Sequence, residues 1–180
     1  MDTLRIECPF EKNNFIRICL LRWEIQSKKY RKVLKSWSIA SAILLFLWFI
    51  TKTEEEPTNP FLILGIISSG FSLLFTYVSI SLKRRYTHKI KVKAEKFEVE
   101  KMDCTYEFSN QSIKYWDKEK KLEFNWSLLS SFSMYKNYLI LFLDNSIIES
   151  FIFEKKDTGI DEYDKLLEIV KSQLDYKEIK

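Results

Sequence analysis

At 180 residues the chain has room for about one domain, since domains typically run to roughly 100–200 residues. A net charge of +4 is too small to indicate nucleic-acid binding, and we expect no nucleic-acid partner. Apolar residues are concentrated in one central segment, whereas the rest of the chain is rich in lysine and aromatic residues. The composition therefore favours a membrane-attached protein with a polar domain over a uniformly soluble one.

The N-terminal segment, residues 1–10, alternates Leu4, Ile6 and Cys8, a pattern that predicts a β-strand. We expect this strand to join the domain formed by the C-terminal part of the chain. The charged start lacks the apolar core of a signal peptide, so no cleavage is expected. Apolar residues at helical spacing over 11–35 predict a juxtamembrane helix.

The central segment, residues 36–82, predicts a transmembrane hairpin with spans at 36–51 and 60–82 and an outside loop at 52–59. Neither span contains an ionisable side chain or the polar stripe of a soluble surface helix. A bilayer core of roughly 30 Å needs about 20 residues, which the second span supplies. The first span is shorter, so we expect Lys35 to extend its charged end toward the headgroups.

Charge at the ends of the hairpin predicts its orientation. Basic residues flank both spans, whereas the loop carries Glu54, Glu55 and Glu56 against the single Lys52. Positive charge resists translocation, so both termini are expected on the cytoplasmic side of the membrane. Eight flanking residues are candidates for contact with anionic lipid, although the topology signal alone would also explain them: Lys28, Lys29, Arg31, Lys32, Lys35, Lys83, Arg84 and Arg85.

Small residues recur in the second span, including Gly65, Ser68, Ser69, Gly70 and Ser72. Small side chains allow helices to approach closely. They favour packing between the two spans, with a homodimer through the second span as the alternative. The absence of ionisable groups at mid-membrane depth argues against a pore or carrier.

The connector at 83–102 fits either a strand or a helix, and continuity with the second span favours a helix. Residues 103–180 then contain six short β-rich runs separated by polar turns, which predict an antiparallel meander. The turn Lys136-Asn137 precedes "YLILFL", whose apolar residues on both faces predict a central strand. An amphipathic helix is expected at 159–175, with a capping box at Thr158 and Asp161.

Trp126 ends the third of these runs, "KLEFNW". Alternation places Leu122, Phe124 and Trp126 on one strand face, which predicts a buried indole. A meander closed by one C-terminal helix is the arrangement of a pleckstrin-homology (PH)-like domain. The sequence therefore predicts an α+β membrane protein: a two-helix transmembrane hairpin plus a small antiparallel PH-like β-domain capped by a C-terminal helix.

No residue set in the sequence indicates catalysis or cofactor binding. His88 is the only histidine, and Cys8, Cys19 and Cys104 are dispersed, so no metal site is expected. Their odd number and separation favour reduced thiols over a disulfide framework. With three glycines and no phosphate-binding motif, we expect no enzyme and no cofactor.

The layout resembles the YcxB-like family of small bacterial membrane proteins. The resemblance covers most of the chain as architecture and is carried at residue level by "YEFSNQSIKYWDKEKKLEFNWSLLSSFSMYKNYLILFL", around Trp126 and Ser127. It implies an N-terminal strand, two spans and a PH-like C-terminal domain. The stretch "IESFIFEKKDTG" keeps the family's aromatics and Lys155–Lys156 but lacks its proline. The family has no shared established activity, and fold does not imply function.

Two functional hypotheses follow from this reading. The first is a membrane-anchored cytoplasmic PH-like binding module that captures a protein partner or senses the membrane surface. The alternative is an immunity or defence protein that acts against a membrane-targeting toxin. An adjacent toxin gene would favour the second hypothesis, and varied gene neighbourhoods would favour the first.

Overall fold

The computed structural model describes residues 3–52, 59–144 and 146–179. It is an α+β chain with two long apolar helices and two small antiparallel sheets. In chain order its elements are β1 (Leu4–Cys8), α1 (Lys12–Thr51), α2 (Pro60–Glu100), β2 (Cys104–Phe108), β3 (Ser112–Trp116), β4 (Lys121–Asn125), a 3-10 turn (Trp126–Leu128), β5 (Leu129–Tyr135), β6 (Tyr138–Leu143), β7 (Ser146–Glu154), α3 (Lys155–Thr158) and α4 (Ile160–Gln173).

The two long helices are continuous through segments that the sequence analysis treats separately. Helix α1 begins at Lys12, within the predicted juxtamembrane segment 11–35, and continues through the first span, because no glycine or proline interrupts it. Helix α2 starts at Pro60, a favoured first helical residue, and continues through the connector to Glu100. It ends where Lys101 adopts a positive φ of 47° and the Met102 amide bonds the Phe97 carbonyl.

The loop between these helices was predicted at 52–59. Residues 53–58, which include Glu54, Glu55, Glu56 and Pro57, lie outside the described residues.

The chain divides into two compact units. One contains Met1–Ile25 and Lys91–Lys180, and the other contains Gln26–Ile90. The β-containing unit is thus larger than the predicted 1–10 and 103–180, because parts of both long helices belong to it. Within this unit the rings of Phe10, Phe15 and Phe97 contact one another at centroid distances of 5.5–6.0 Å.

The first sheet has the order β1-β2-β3-β4, all antiparallel. Its edge strand β1 lies where the sequence predicts a strand and pairs with β2 from Leu4 opposite Phe108 to Cys8 opposite Cys104. Ile6, Phe108 and Ile113 point into one buried cluster. The N-terminal strand pairs with a strand that follows the two long helices in the sequence. Burying these side chains offsets the entropic cost of closing that long loop.

The second sheet has the order β5-β6-β7. Strand β6 is the middle strand, as its apolar character on both faces predicts. Leu139 and Leu141 join the main core, whereas Tyr138, Ile140 and Phe142 form a second cluster on the opposite face. A strand buried on both faces needs a continuous apolar run rather than alternation.

Helix α4 packs Tyr163, Leu166 and Val170 into the main core. The predicted capping box is wrong: the N-cap is Gly159, whose φ is 89°, and Thr158 instead donates its hydroxyl hydrogen bond to the Glu154 carbonyl at 3.0 Å. Thr158 is the last residue of the short helix α3, so its hydroxyl bonds a carbonyl that precedes it in the chain and does not cap α4.

The C-terminal tail after α4 runs beside β5, where the Phe132 amide bonds the Asp175 carbonyl and the Lys177 amide bonds the Phe132 carbonyl. This part of the tail therefore covers the free edge of the second sheet with backbone hydrogen bonds.

The shared strand face predicted for Leu122, Phe124 and Trp126 is wrong. Strand β4 ends at Asn125, and Trp126 opens the 3-10 turn that leads to β5. The turn rotates Trp126 into the core, where it is 6 % exposed, whereas Leu122 is 43 % exposed at the sheet edge. Alternation fails here because the strand stops one residue before the tryptophan.

Candidate functional site

The helices of the Gln26–Ile90 unit pack as an antiparallel hairpin. Ser41 and Ser68 share a buried hydrogen bond of 2.6 Å, Leu45 contacts Gly65, and Asn59 donates to the Thr51 hydroxyl at 2.9 Å. A Cβ at position 65 would lie 2.7 Å from Leu45 Cδ2, so a side chain there would require Leu45 to move. The small residues at positions 65 and 68 therefore face α1 within the hairpin.

The outer surface of this hairpin is apolar and exposed. In the most apolar stretch of 18 residues of each helix, only 6 % of the residues in α1 and 11 % of those in α2 are buried. Core helices of soluble proteins with this composition would be mostly buried. Within the two predicted spans, the large apolar side chains exposed by 60 % or more are Phe46, Phe49, Leu73, Phe75 and Tyr77.

Seven exposed basic side chains lie at the end of the hairpin away from its connecting loop, and we call them the basic collar. We define it as Lys28, Arg31, Lys32 and Lys35 on α1 with Lys83, Arg84 and Arg85 on α2; all seven are exposed. The α1 members recur at intervals of three and four residues, so they form a stripe on one helix face. Lys29, the eighth predicted lipid contact, lies in α1, but its side chain is outside the described residues.

Aromatic and apolar side chains occupy the other side of the same stretch of α1. Tyr30, Val33 and Trp37 are exposed by 72 %, 51 % and 53 %. At 3.6 residues per turn, these positions lie opposite the basic stripe. A helix segment with one basic and one aromatic face is suited to the boundary between lipid headgroups and hydrocarbon.

In the β-containing unit, the first part of α1 covers the outer face of the second sheet. Leu21 and Ile25 pack into the second cluster against β6. Arg22 donates to the Ser150 carbonyl at 2.6 Å, and Glu24 accepts hydrogen bonds from the Tyr135 hydroxyl at 3.1 Å and from Lys136 Nζ at 3.3 Å. The sequence analysis did not identify this contact; Leu21 and Ile25, one helical turn apart, are the signal that could have indicated it.

A further polar cluster ties α1 to the end of β7 and to α3. Arg17 pairs with Glu154 and, at 3.3 Å, with Asp157, which also accepts a 2.5 Å hydrogen bond from Asn14 Nδ2. Burial raises the pKa of the Glu154 carboxyl, and the Arg17 guanidinium opposes that rise. These contacts hold the helix in place.

Trp126, the aromatic residue at the centre of the family resemblance, is a core residue in this structure. Its ring lies 6.5 Å from that of Phe108, and its Nε1 donates to the Ser109 carbonyl at 2.8 Å. The indole therefore joins the 3-10 turn to the β2–β3 turn instead of offering a surface for a partner.

The structure brings together two cysteines that the sequence analysis treats as dispersed. Cys8 and Cys104 are directly opposite each other on β1 and β2, and their thiols are hydrogen-bonded. Cys19 is buried on α1. Across residues 3–52, 59–144 and 146–179, no group of three or more His, Cys, Asp or Glu residues could hold a metal ion. His88 is exposed on α2.

Comparison of the chain with protein-family models, curated proteins and solved structures finds no match in any of the three.

Proposed function

We propose that the chain is a membrane-anchored binding module: the hairpin crosses the bacterial inner membrane twice, and the β-domain is a PH-like module on the cytoplasmic side. The exposed apolar surface of the hairpin carries the proposal. Lipid hydrocarbon tails can cover such an apolar surface. The backbone polar groups of both helices are already hydrogen-bonded within the helices, so they need no water.

The lengths of the helices agree with a bilayer. From Thr51 to Lys35, α1 rises about 24 Å, and from Thr51 to Lys28 about 34 Å, at 1.5 Å per residue. With the hairpin tip at one interface, a hydrocarbon core of roughly 30 Å therefore ends between these two lysines. Lys35 then lies slightly inside the boundary, and its aliphatic stem lets the ammonium reach the headgroups.

The basic collar supports both the orientation and a lipid preference. Its seven basic side chains favour an orientation with this end of the hairpin on the cytoplasmic side. They also attract anionic headgroups, with a binding free energy of about 1 kcal/mol for each residue near the surface. Tyr30 and Trp37 add the aromatic side chains that are enriched at membrane interfaces.

The binding role of the β-domain is proposed from its architecture. Two antiparallel sheets of four and three strands, followed by C-terminal helix α4, support the proposal of a PH-like domain, which the YcxB-like resemblance also implies. Strands β4 and β7 are sheet edges, with Leu122 and Ile148 exposed on them. An edge of this kind can pair with an extended segment of a protein partner.

Membrane insertion and orientation are tested by thiol labelling in spheroplasts. A membrane-impermeant maleimide should label a Glu55→Cys variant in intact cells but reach Cys104 only after lysis. The protein should also remain in the membrane fraction after alkaline carbonate extraction. Labelling of Cys104 without lysis would overturn the orientation, and release by carbonate would overturn the spanning hairpin.

The lipid preference is tested by thermal melts in nanodiscs of zwitterionic lipid with or without anionic phosphatidylglycerol. A ligand that binds the folded state raises its melting temperature. We expect the anionic lipid to stabilise the wild-type protein and a variant with Arg31, Lys32, Lys83 and Arg84 changed to Gln to lose that response. A control that removes positive charge outside the collar, with Lys118 and Lys120 changed to Gln, should retain it. Equal responses in both variants would exclude the collar as a lipid site.

A further inference from the structure

Two thiols meet across the first sheet of the β-domain. Cys8 is the last residue of β1, Cys104 is the first residue of β2, and the register places them directly opposite each other. Both are free and partly buried, and the Cys8 thiol is hydrogen-bonded to Cys104. Opposed residues of antiparallel strands have Cα atoms about 4.5–5.5 Å apart, within the range that disulfides span.

We propose that Cys8 and Cys104 form a reversible redox pair, which a low-molecular-weight disulfide oxidises to a cross-strand disulfide linking β1 to β2. The inference is independent of the membrane function and rests on the pairing of the two strands.

The surroundings favour Cys104 as the attacking thiol. Its pKa is lowered because the Cys8 thiol and the Tyr106 hydroxyl both hydrogen-bond to it, and burial opposes this change. The pKa of the Cys8 thiol is raised by the same hydrogen bond to Cys104 and by burial. The thiolate is the nucleophile in disulfide exchange, so the thiol that loses its proton more readily reacts first.

The proposed step balances with the oxidant as the only co-reactant. The Cys104 thiolate attacks one sulfur of R–S–S–R, forms a mixed disulfide and releases one RS⁻, which takes up a proton. The Cys8 thiol loses its proton and attacks Cys104 Sγ, which breaks the mixed disulfide and releases the second RS⁻. The oxidant gains two electrons and two protons, and the two protein thiols become one disulfide.

The disulfide would change the way the N-terminal strand is held. Strand β1 is an edge strand and, within the described residues, pairs with β2 alone. Its backbone hydrogen bonds to β2 and the packing of side chains such as Ile6 hold it in place. A covalent link would close a loop of roughly 100 residues that contains both long helices, and closing long loops restricts the unfolded chain most. Oxidation is therefore expected to stabilise the β-domain.

The experiment uses the full chain in detergent, incubated with glutathione disulfide and compared with the same sample in dithiothreitol. Free thiols should fall from three to one, and the intact mass should decrease by about 2 Da, the two hydrogens lost. Peptide mapping should place the link between Cys8 and Cys104, and the oxidised form should melt several degrees higher. Three unreacted thiols, or a persistent glutathione adduct on the wild type, would overturn the proposal.

Two variants separate the pair from general thiol reactivity. Cys8→Ser removes the resolving thiol, so a glutathione adduct should accumulate on Cys104. Cys19→Ser is the matched control. Cys19 is buried on α1, and its replacement should leave the cross-link unchanged. Melts of both variants under reducing conditions verify that they fold. Loss of the cross-link in folded Cys19→Ser, with Cys8 and Cys104 intact, would refute the assignment to those two residues.

Discussion

Replacing Trp126 with alanine tests whether the centre of the family resemblance is a core residue or a binding surface. The indole is 6 % exposed at the start of the 3-10 turn between β4 and β5. Its ring packs near Phe108, and its Nε1 donates to the Ser109 carbonyl at 2.8 Å. The alanine variant would lose both interactions and leave a cavity between the two sheets.

The expected destabilisation follows from these two losses. Truncating a buried tryptophan costs about 3–5 kcal/mol, and a lost neutral hydrogen bond contributes about 1 kcal/mol of the total. A unit of about 115 residues unfolds with an entropy near 0.24 kcal/mol/K, so the melting temperature should fall by about 12–20 °C. Trp126→Phe keeps most of the apolar contact and loses the donor, so we expect a fall of only a few degrees.

The assay is a thermal melt of each variant in the same detergent, followed by near-ultraviolet circular dichroism to report side-chain packing. Leu128→Ala is the control, because this residue is two positions away and exposed, and it should change the free energy of unfolding by less than about 0.5 kcal/mol. If Trp126→Ala melted within three degrees of the wild type, the core role argued from its burial would be refuted.

Two further predictions concern the β-domain and the hairpin. A fragment of residues 97–180 lacks β1 and the part of α1 that covers β6, so it should aggregate; a monomeric, cooperatively melting fragment in sedimentation and melting experiments would contradict this. Gly65→Val should force α1 and α2 apart and reduce oxidative cross-linking of a Ser41→Cys, Ser68→Cys pair, whereas Gly70→Val, with nothing within 4 Å, should leave it unchanged. Equal cross-linking in both backgrounds would argue against the close packing at Gly65.

The local pattern of residues was sufficient to predict most of the elements. The long uncharged runs predicted the apolar helices, alternation between polar turns predicted β2 to β7, and the run "YLILFL" predicted the central strand β6. Each of these signals comes from residues within a few positions of one another. Helical and strand periodicities act over that range, so they can be recognised without knowledge of the fold.

Where a strand or helix ends was less evident from the sequence. Alternation suggested that Trp126 continues the face of Leu122, but β4 stops at Asn125 and a 3-10 turn redirects the indole. Similarly, Thr158 resembles an N-cap, yet α3 includes it and Gly159 takes that position. Such boundaries depend on competition between neighbouring turns and on the packing of the side chains that follow.

The sequence by itself determined that the chain has a hairpin of two apolar helices with a basic end, because charge and hydropathy are properties of contiguous residues. Only the tertiary structure placed Cys8 opposite Cys104 and brought Leu21 against Ile140. These partners are separated by about a hundred residues, and their contact depends on strand register and on burial summed over the whole core. A one-residue change of register would move Cys8 to the other face of the sheet, and the composition of the strand would be the same.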